Sequence, residues 1–397
     1  MSRILRLAAR GDGVTADGRH VPLTAPGDEV AEDGAIIPGP HHQTPPCRHF
    51  PRCGGCQLQH VDDEAYKVFL VDRIAAALAS QGLDRPEFRT PHLSPPRTRR
   101  RASLKAERIG HRVVLGFHEE GSHRIVDMHE CHVLHPALFA LVAPVRQLLG
   151  TILPRKGSAE VRLACVDQGV DLLLTGVTAE GLAASEAITA FAGAHGLARL
   201  ALDDGYGAQA WWEPDAATVT LGGVPVAFPP GGFLQATADG EAALLAGVEE
   251  AVGAASTIAD LFAGLGTFAL PLAARAKVYA AEGARDPLLA LKAAAGRAQR
   301  PVFTEHRDLF RRPLDAKELA RFEAVVLDPP RAGAKEQMAA LARAAGVTRI
   351  AYVSCNPATF ARDATTLAEG GWRIDWIRPV GQFRWSTHVE LVAAFAR

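Results

Sequence analysis

Residues 256–273 read STIADLFAGLGTFALPLA: a short apolar stretch ends at Asp260, a loop with Gly264 and Gly266 follows, and helical spacing of apolar residues then begins. This order of strand, glycine-containing loop and helix is typical of the first unit of a doubly wound α/β sheet, which binds nucleotides beyond the carboxyl ends of its strands. A tight turn that serves the fold alone would explain the loop equally well. By itself, the stretch therefore predicts the fold and leaves the site open.

The rest of the C-terminal portion alternates helical segments with short apolar strands. The strand segments are AKVYAAEG (276–283), RPVFTEHRD (300–308), FEAVVLDPP (322–330), TRIAYVSCN (348–356) and VELVAAFAR (389–397). Such alternation predicts a parallel sheet with helices on both faces, in an α/β fold.

Polar side chains stand at the ends of these strands: Glu282, Asp308, Asp328 and Cys355 each follow a different apolar run. In a parallel sheet they would share one edge with the glycine loop, where an acid can bind ribose hydroxyls. The spacing does not choose between a nicotinamide nucleotide and S-adenosylmethionine. Cys355, taken by its position alone, is equally compatible with a buried structural cysteine.

A second group of cysteines lies nearer the N-terminus, three within CRHFPRCGGCQLQH (47–60) and one within DMHECHVLH (127–135). The four are Cys47, Cys53, Cys56 and Cys131. Their spacing predicts a metal centre, either structural zinc or an iron–sulfur cluster. Three nearby histidines leave a mixed-ligand zinc site as an alternative: His49, His129 and His132. Cys165 is predicted to be a buried strand residue.

Composition sets the class of protein. The chain has 397 residues, of which 48% are hydrophobic and 22% charged, which predicts a soluble protein of two or three domains. No run approaches the roughly 20 apolar residues that a membrane span needs, so we expect a cytoplasmic protein. The net charge is only −1, so binding to RNA would need a local basic patch, for which PPRTRRRASLK (95–105) is the candidate. A solvent-exposed edge strand would also explain the charges of this segment.

Together these segments resemble the bacterial RNA uracil-5-methyltransferases, most closely the iron–sulfur branch that acts on 23S ribosomal RNA. The resemblance extends from Cys47 nearly to Arg397 and rests on CRHFPRCGGCQLQH, GGFLQAT (231–237), DLFAGLGTF (260–268), LDPPRAG (327–333), SCNPATFARD (354–363) and HVEL (388–391). It implies S-adenosylmethionine as the methyl donor, a [4Fe-4S] cluster on the four cysteines above, Cys355 as nucleophile and Glu390 as proton acceptor. The cofactor contacts that it implies are Gln235, Phe262, Thr267, Glu282, Asp308 and Asp328.

Uracil methylation explains why a thiol and a carboxylate are needed. Carbon 5 of uracil is a poor nucleophile until a thiolate adds to carbon 6, and a base must later remove the proton left on carbon 5. Glu390 begins an otherwise apolar strand, which suits the base. His388 stands two residues earlier on the same face, where packing or capping would also explain it.

The resemblance also divides the chain. We expect a shortened TRAM-like β segment over residues 1–40, an iron–sulfur and central RNA-binding domain over 41–228, and a Rossmann-like class I methyltransferase domain over 229–397. The first segment looks cut short, because RGDGVTADGRHVPLTAPGDEV (10–30) matches only the first half of an RNA-binding TRAM barrel.

Other functions remain open at this point. An amino-methyltransferase would also use Asp-Pro-Pro at a strand end but would need no thiol. An RNA-binding protein without catalysis would use the same fold as a scaffold. Within uracil methylation we expect 23S ribosomal RNA as the partner of a monomeric enzyme, with transfer RNA as the alternative.

Overall fold

The computed structural model describes residues 1–179 and 181–397, and this part of the chain forms 22 strands and ten helices. The strands are β1 (Ser2–Leu7), β2 (Gly13–Thr15), β3 (His20–Val21), β4 (Glu29–Val30), β5 (Ile36–Ile37), β6 (Glu87–Phe88), β7 (His92–Leu93), β8 (Arg101–Ile109), β9 (Arg112–Gly116), β10 (Ser158–Val166), β11 (Gly169–Thr175), β12 (Arg199–Asp203), β13 (Gln209–Trp212), β14 (Thr218–Leu221), β15 (Val224–Ala227), β16 (Thr257–Leu261), β17 (Lys277–Glu282), β18 (Val302–His306), β19 (Ala324–Leu327), β20 (Arg349–Ser354), β21 (Arg373–Gly381) and β22 (Glu390–Ala396). The helices are α1 (Asp63–Ser80), α2 (Pro136–Ala140), α3 (Val142–Ile152), α4 (Gly181–Ala194), α5 (Ala238–Val252), α6 (Ala269–Leu272), α7 (Arg285–Arg297), α8 (Ala316–Leu319), α9 (Lys335–Arg343) and α10 (Pro357–Glu369).

The C-terminal sheet confirms the predicted α/β class. Its order is β18-β17-β16-β19-β20-β22-β21-β6, and β7 also pairs with β21. The five strands from β18 to β20 are parallel, so their carboxyl ends share one edge. The buried apolar residues on its two faces form separate cores, one with α1, α9 and α10 and the other with α5, α6 and α7.

The sheet departs from the parallel arrangement expected from the sequence at its far side. Strand β22 runs antiparallel to both β20 and β21. Strand β21 was not among the predicted strands, because Arg373, Asp375 and Arg378 interrupt the apolar pattern of WRIDWIRPV (372–380). The reversal matters for the site, because the first residue of β22 lies at the edge where the parallel strands end.

Helix α1 links the N-terminal part of the chain to the C-terminal sheet. Asp62 caps it, since its carboxylate accepts a hydrogen bond from the backbone N–H of Ala65 at 2.8 Å. The apolar face with Tyr66, Phe69 and Ile74 packs into the core that α10 shares with the C-terminal sheet. Residues within 41–228 thus help to build that core, and the expected domain boundaries stay a prediction.

The segments before and between these elements form smaller sheets. Strands β1 to β5 make a sheet of order β3-β2-β1-β4-β5, and β8 to β13 make a second of order β13-β12-β11-β10-β8-β9, covered by α2, α3 and α4. The buried carboxylate of Asp28 stabilises the first sheet, since it accepts hydrogen bonds from Ala25 N–H and Gly39 N–H. Its assignment as a shortened TRAM module stays a prediction. None of the helices in the described part of the chain combines the length and the apolar character that a membrane crossing needs.

Candidate active site

A cavity of about 700 Å³ opens at the edge where the parallel strands of the C-terminal sheet end. All of the residues proposed from the sequence for catalysis and cofactor binding line it: Gln235, Phe262, Gly264, Thr267, Glu282, Asp308, Asp328, Cys355 and Glu390. The positions come together because β16 to β20 are parallel and β22 begins beside the end of β20.

The glycine loop after β16 is held against the end of β17. The N–H groups of Phe262 and Ala263 both donate to the carbonyl of Ala281, at 3.0 and 3.1 Å. Gly264 N–H donates to the carboxylate of Glu282 at 2.8 Å, and Gly264 adopts φ 53°. The same carboxylate accepts the N–H of Ala284 at 2.6 Å, so backbone groups fix its orientation at the cavity wall.

Gly266 in this loop has a packing reason to be glycine. It adopts φ 91°, and a Cβ atom there would lie 2.5 Å from Leu291 of α7. The loop can therefore pack closely against the helix that follows β17.

The wall beside the loop is acidic and aromatic. The Asp308 carboxylate accepts the N–H groups of Phe310 and Arg311 at 3.0 and 3.2 Å and so shapes the turn after β18. The ring of Phe310, 41% exposed, lies 5.5 Å from the ring of Phe262. An apolar surface beside carboxylates suits a ligand with a flat ring and a hydroxylated or cationic part.

Cys355 lies between the end of β20 and the start of α10. Asn356 caps that helix by accepting the N–H of Ala358 at 3.1 Å, and its side-chain amide donates to the carbonyl of Arg331 at 3.0 Å. The hydroxyl of Thr359 donates to the same carbonyl at 3.1 Å. The segment after Cys355 thus holds the loop that presents Arg331 to the cavity.

The same helix holds that loop at a second point. Asp363 is fully buried and accepts the backbone N–H of Ala334 at 2.6 Å and the hydroxyl of Tyr352 at 2.7 Å. Arg362 donates to the carbonyl of Ala332 at 2.9 Å. The residues of SCNPATFARD therefore fix the relative position of two cavity walls.

Glu390 reaches the cavity as the first residue of β22. Its neighbour Leu391 pairs with Ser354 of β20, which places Glu390 beside Cys355 at one edge of the sheet. Two buried glutamines form a hydrogen-bonded chain that ends at Asp328: Gln382 donates to Gln235 at 2.8 Å, and Gln235 donates to the Asp328 carboxylate at 3.1 Å.

The acids and the thiol favour their neutral forms in this cavity. Burial raises the pKa of Asp328 to about 7. Burial and then the charge of Asp328 raise the pKa of Glu390 to about 8. Burial, followed by Glu390 and Asp328, raises the pKa of Cys355 to about 11, while Arg331 acts in the opposite direction. A cation that enters this cavity would therefore favour ionisation of all three groups.

Asp260 lies beneath the site and has no exposed surface. Neither of its carboxylate oxygens has a side-chain or backbone partner that satisfies it within the described residues. Burial, then the charge of Asp328, raises its pKa well above the usual value. Burial and the Asp328 carboxylate both disfavour the charged form of Asp260.

Several cavity residues were not assigned roles from the sequence. Arg101 lies over the ring of Phe233, with its guanidinium carbon 4.4 Å from the ring centre. The guanidinium of Arg331 is 3.2 Å from Nδ1 of His388, which lines the cavity together with Phe383. Phe233 is 60% exposed. The sequence signal that could have identified it is its position inside GGFLQAT, the motif that also contains Gln235.

The basic segment 95–105 is not a continuous exposed patch. Arg100 pairs with Glu241 at 2.6 Å and Lys105 with Glu160 at 2.9 Å. Arg99 stacks between two aromatic rings of the protein and Arg101 lines the cavity, so of the five basic residues in this segment only Arg97 is exposed. The cavity mouth, rather than an outer strand, is where this segment offers positive charge.

The four clustered cysteines line a second, smaller pocket. Cys56 is buried and the other three are partly buried, and each thiol has a pKa raised mainly by burial. Cys165 lies apart from them on β10. The Nε2 atom of His49 accepts the N–H of His129 at 3.1 Å, so this ring supports the turn before Cys131.

These cysteines do not converge on a single point. Across residues 1–179 and 181–397 no three His, Cys, Asp or Glu side chains are arranged to hold one metal ion. A structural zinc ion would need ligands about 2.3 Å from one centre. In the described residues the four thiols are therefore not gathered around one such centre.

The known proteins that this chain resembles in sequence are RNA methyltransferases. Residues 227–396 match the family described as tRNA (Uracil-5-)-methyltransferase. The chain is 54% identical, over the full length of both proteins, to an uncharacterized RNA methyltransferase of Zymomonas mobilis. It is 32% identical to the 23S rRNA (uracil(1939)-C(5))-methyltransferase RlmD of Thiobacillus denitrificans, covering 91% of this chain and 87% of that protein.

The fold has a solved counterpart. The tRNA (uracil-54, C5)-methyltransferase of Pyrococcus abyssi, solved with S-adenosyl-L-homocysteine, superposes with a TM-score of 0.75 over the full length of both chains, at 23% identity. That likeness confirms the methyltransferase fold predicted from the sequence.

Proposed function

Because the chain belongs to the RNA (uracil-5-)-methyltransferase family, we propose that it transfers a methyl group from S-adenosylmethionine to carbon 5 of a uridine in 23S ribosomal RNA. The observation that supports this most is the presence of Cys355 and Glu390 in one cavity with Asp328 and the glycine loop. A thiol and a carboxyl group at one site are what this methylation needs and what transfer to an exocyclic nitrogen does not.

In this proposal the methyl donor binds along the edge from β16 to β19. Phe262 and Phe310, whose rings contact each other, offer an apolar surface to the adenine, the Glu282 carboxylate accepts hydrogen bonds from the ribose hydroxyls, and Asp328 faces the sulfonium. Gln235, Thr267, Gly264 and Asp308 complete the contacts. The positive sulfonium suits a cavity in which acids have raised pKa values, because its charge stabilises their ionised forms.

The reaction begins with Cys355. Its thiolate adds to carbon 6 of the uracil, the carbon 5–carbon 6 double bond opens, and the electron pair resides in the resulting enolate. Carbon 5 then attacks the methyl group, and the sulfonium leaves as a neutral thioether. The N-terminus of α10 and the guanidinium of Arg331 both favour the thiolate, against the burial that opposes it.

Glu390 completes the reaction. Its carboxylate removes the proton from carbon 5, the double bond re-forms and the Cys355 thiolate departs, so that one proton and one methyl group have exchanged. Glu390 must be ionised for this step. Arg101 and Arg331 both lower its pKa against the burial and the charge of Asp328 that raise it.

The target must reach the thiol as an unstacked base, because carbon 6 is covered in a stacked helix. Arg101, Phe233 and Phe383 at the cavity wall provide charge and aromatic surface for such a base. The similarity to the ribosomal RNA enzyme supports a 23S target. Transfer RNA remains the second candidate, since the family description names it.

The four cysteines are the proposed ligands of a [4Fe-4S] cluster. All four line one pocket, where each would supply a thiolate to an iron atom of the cluster. Such a cluster would link the 47–56 loop to Cys131. We also propose that the sheet of β1 to β5 is a shortened TRAM module and that the enzyme acts as a cytoplasmic monomer.

The proposal is tested by replacing Cys355 with Ala, with Cys165→Ala as a matched cysteine variant outside the cavity. We expect Cys355→Ala to abolish methylation of 23S RNA from cells that lack the protein, and Cys165→Ala to retain it. Mapping the unmethylated uridine in those cells identifies the target. Retained turnover in Cys355→Ala would instead favour an amino-methyltransferase.

A further inference from the structure

The turn 383–388 lies between the cysteine pocket and the active-site cavity. The N–H groups of Gln57 and Leu58, which directly follow Cys56, both donate to the carbonyl of Trp385 at 2.8 Å. At its two ends the turn presents Phe383 and His388 to the cavity. The loop of cysteines and the wall of the active site are thus joined through the backbone of one residue.

Trp385 itself is held in an unusual conformation. Its φ of 58° is rare for a bulky side chain and persists only where surrounding contacts impose it. The side chain is 5% exposed and packs in one apolar cluster with Cys56 and Val133, against which Cys131 also packs. Trp385 thus shares one apolar cluster with Cys56, and Cys131 packs against that cluster.

The indole N–H is the unexplained feature of this cluster. Within residues 1–179 and 181–397 the Nε1 atom of Trp385 has no hydrogen-bond partner. A buried tryptophan N–H usually finds an acceptor, and leaving it unpaired is costly. A free thiol is only a weak acceptor, whereas the sulfur atoms of an iron–sulfur cluster carry negative charge and accept readily.

We propose that the Nε1–H of Trp385 donates a hydrogen bond to a sulfur atom of the cluster held by the four cysteines. This inference rests on the proposed [4Fe-4S] cluster. It makes Trp385 a positioning residue: the bond fixes the strained turn, and with it the places of Phe383 and His388 at the cavity wall. The cluster then supports the active site without taking part in the reaction.

The test uses the anaerobically purified, iron-loaded protein and compares Trp385→Phe with Trp372→Phe. Phenylalanine keeps the aromatic packing and removes the N–H. Trp372 is a matched control, since it is also buried and its Nε1 donates to the carbonyl of Leu341, 3.4 Å away and outside the cysteine cluster. A hydrogen bond to sulfur favours the reduced, more negative cluster.

We expect Trp385→Phe to lower the reduction potential of the cluster by about 59 mV for one electron, a tenfold change in the equilibrium. Backbone amides of residues 383–388 should exchange hydrogen faster in this variant than in Trp372→Phe. Equal potentials and equal exchange in the two variants would overturn the inference.

A second measurement needs no variant. In protein labelled with ¹⁵N in the indole rings, pulsed EPR of the reduced cluster should detect one coupled nitrogen and one exchangeable proton. A loaded cluster without that coupling overturns the hydrogen bond alone. If the purified wild-type protein contains no iron and sulfide, both the proposed cluster and the hydrogen bond are wrong. The proposed reaction is tested separately, by measuring methyl transfer.

Discussion

Replacing Glu390 with Gln should have opposite effects on turnover and on the reactivity of Cys355. Glutamine keeps the size of the side chain but cannot accept the proton from carbon 5, so we expect the rate to fall by about 10²- to 10⁴-fold. Because that proton is removed after methyl transfer, the variant should accumulate RNA bound covalently to the enzyme with the methyl group already in place.

The thiol should respond in the other direction. With a pKa of about 11, roughly one Cys355 in a thousand is a thiolate at pH 8. The charge of Glu390 raises that pKa, and it is present only above the pKa of Glu390, about 8. Glu390→Gln should therefore speed alkylation of Cys355 by iodoacetamide above pH 8 and leave it unchanged well below pH 8.

Both effects are measurable on one preparation. Single-turnover transfer from tritiated S-adenosylmethionine gives the rate, a denaturing gel gives the adduct, and mass spectrometry gives alkylation at Cys355 in the RNA-free protein. In the wild type, turnover should fall as the pH drops below the pKa of Glu390, about 8 in the free protein, because Glu390 must be ionised; the bound sulfonium favours ionisation and moves that fall to lower pH. A variant that turns over within tenfold of the wild type, without adduct, would refute the assignment of the base.

Three further outcomes follow from contacts in the structure. Thr359→Val should slow methyl transfer about tenfold through loss of the bond to the Arg331 carbonyl, whereas Thr359→Ser keeps the hydroxyl and should match the wild type in the same assay. Glu282→Gln should weaken S-adenosylmethionine binding about tenfold by calorimetry, and unchanged affinity would remove this residue from the cofactor site. Asp171→Ala should cost about 1–3 kcal/mol in urea unfolding, because the buried Arg199 loses its 2.7 Å hydrogen bond but keeps Glu213 and the Phe228 carbonyl; unchanged stability would contradict that reading.

The sequence predicted the C-terminal sheet well, because its central strands are continuous apolar runs followed by polar residues. Since parallel strands end at one edge, the positions of Glu282, Asp328 and Cys355 along the chain were enough to predict that they share a cavity. The position of Glu390 could not be predicted in this way, because β22 is antiparallel to β20. Only this reversed direction brings the first residue of β22 to that edge.

The features that escaped prediction depend on contacts between distant segments. Strand β21 is partly exposed and charged, so its pattern is weak. Arg99 and Arg100 look like an RNA-binding patch in the sequence, but the fold uses them to stack on aromatic rings and to pair with Glu241. No local pattern indicates that Trp385 packs beside cysteines more than 250 positions away, since that contact exists only in the folded chain.

The central claim, that Cys355 bonds to carbon 6 of a uridine, is tested most directly by trapping that bond. RNA containing 5-fluorouridine at the target should block the final step, because carbon 5 then carries fluorine in place of the proton that Glu390 removes. After nuclease and protease digestion, mass spectrometry should find a methylated fluorouridine attached to the peptide that contains Cys355. A methylated RNA product with no such adduct, or an adduct on any other residue, would contradict the account.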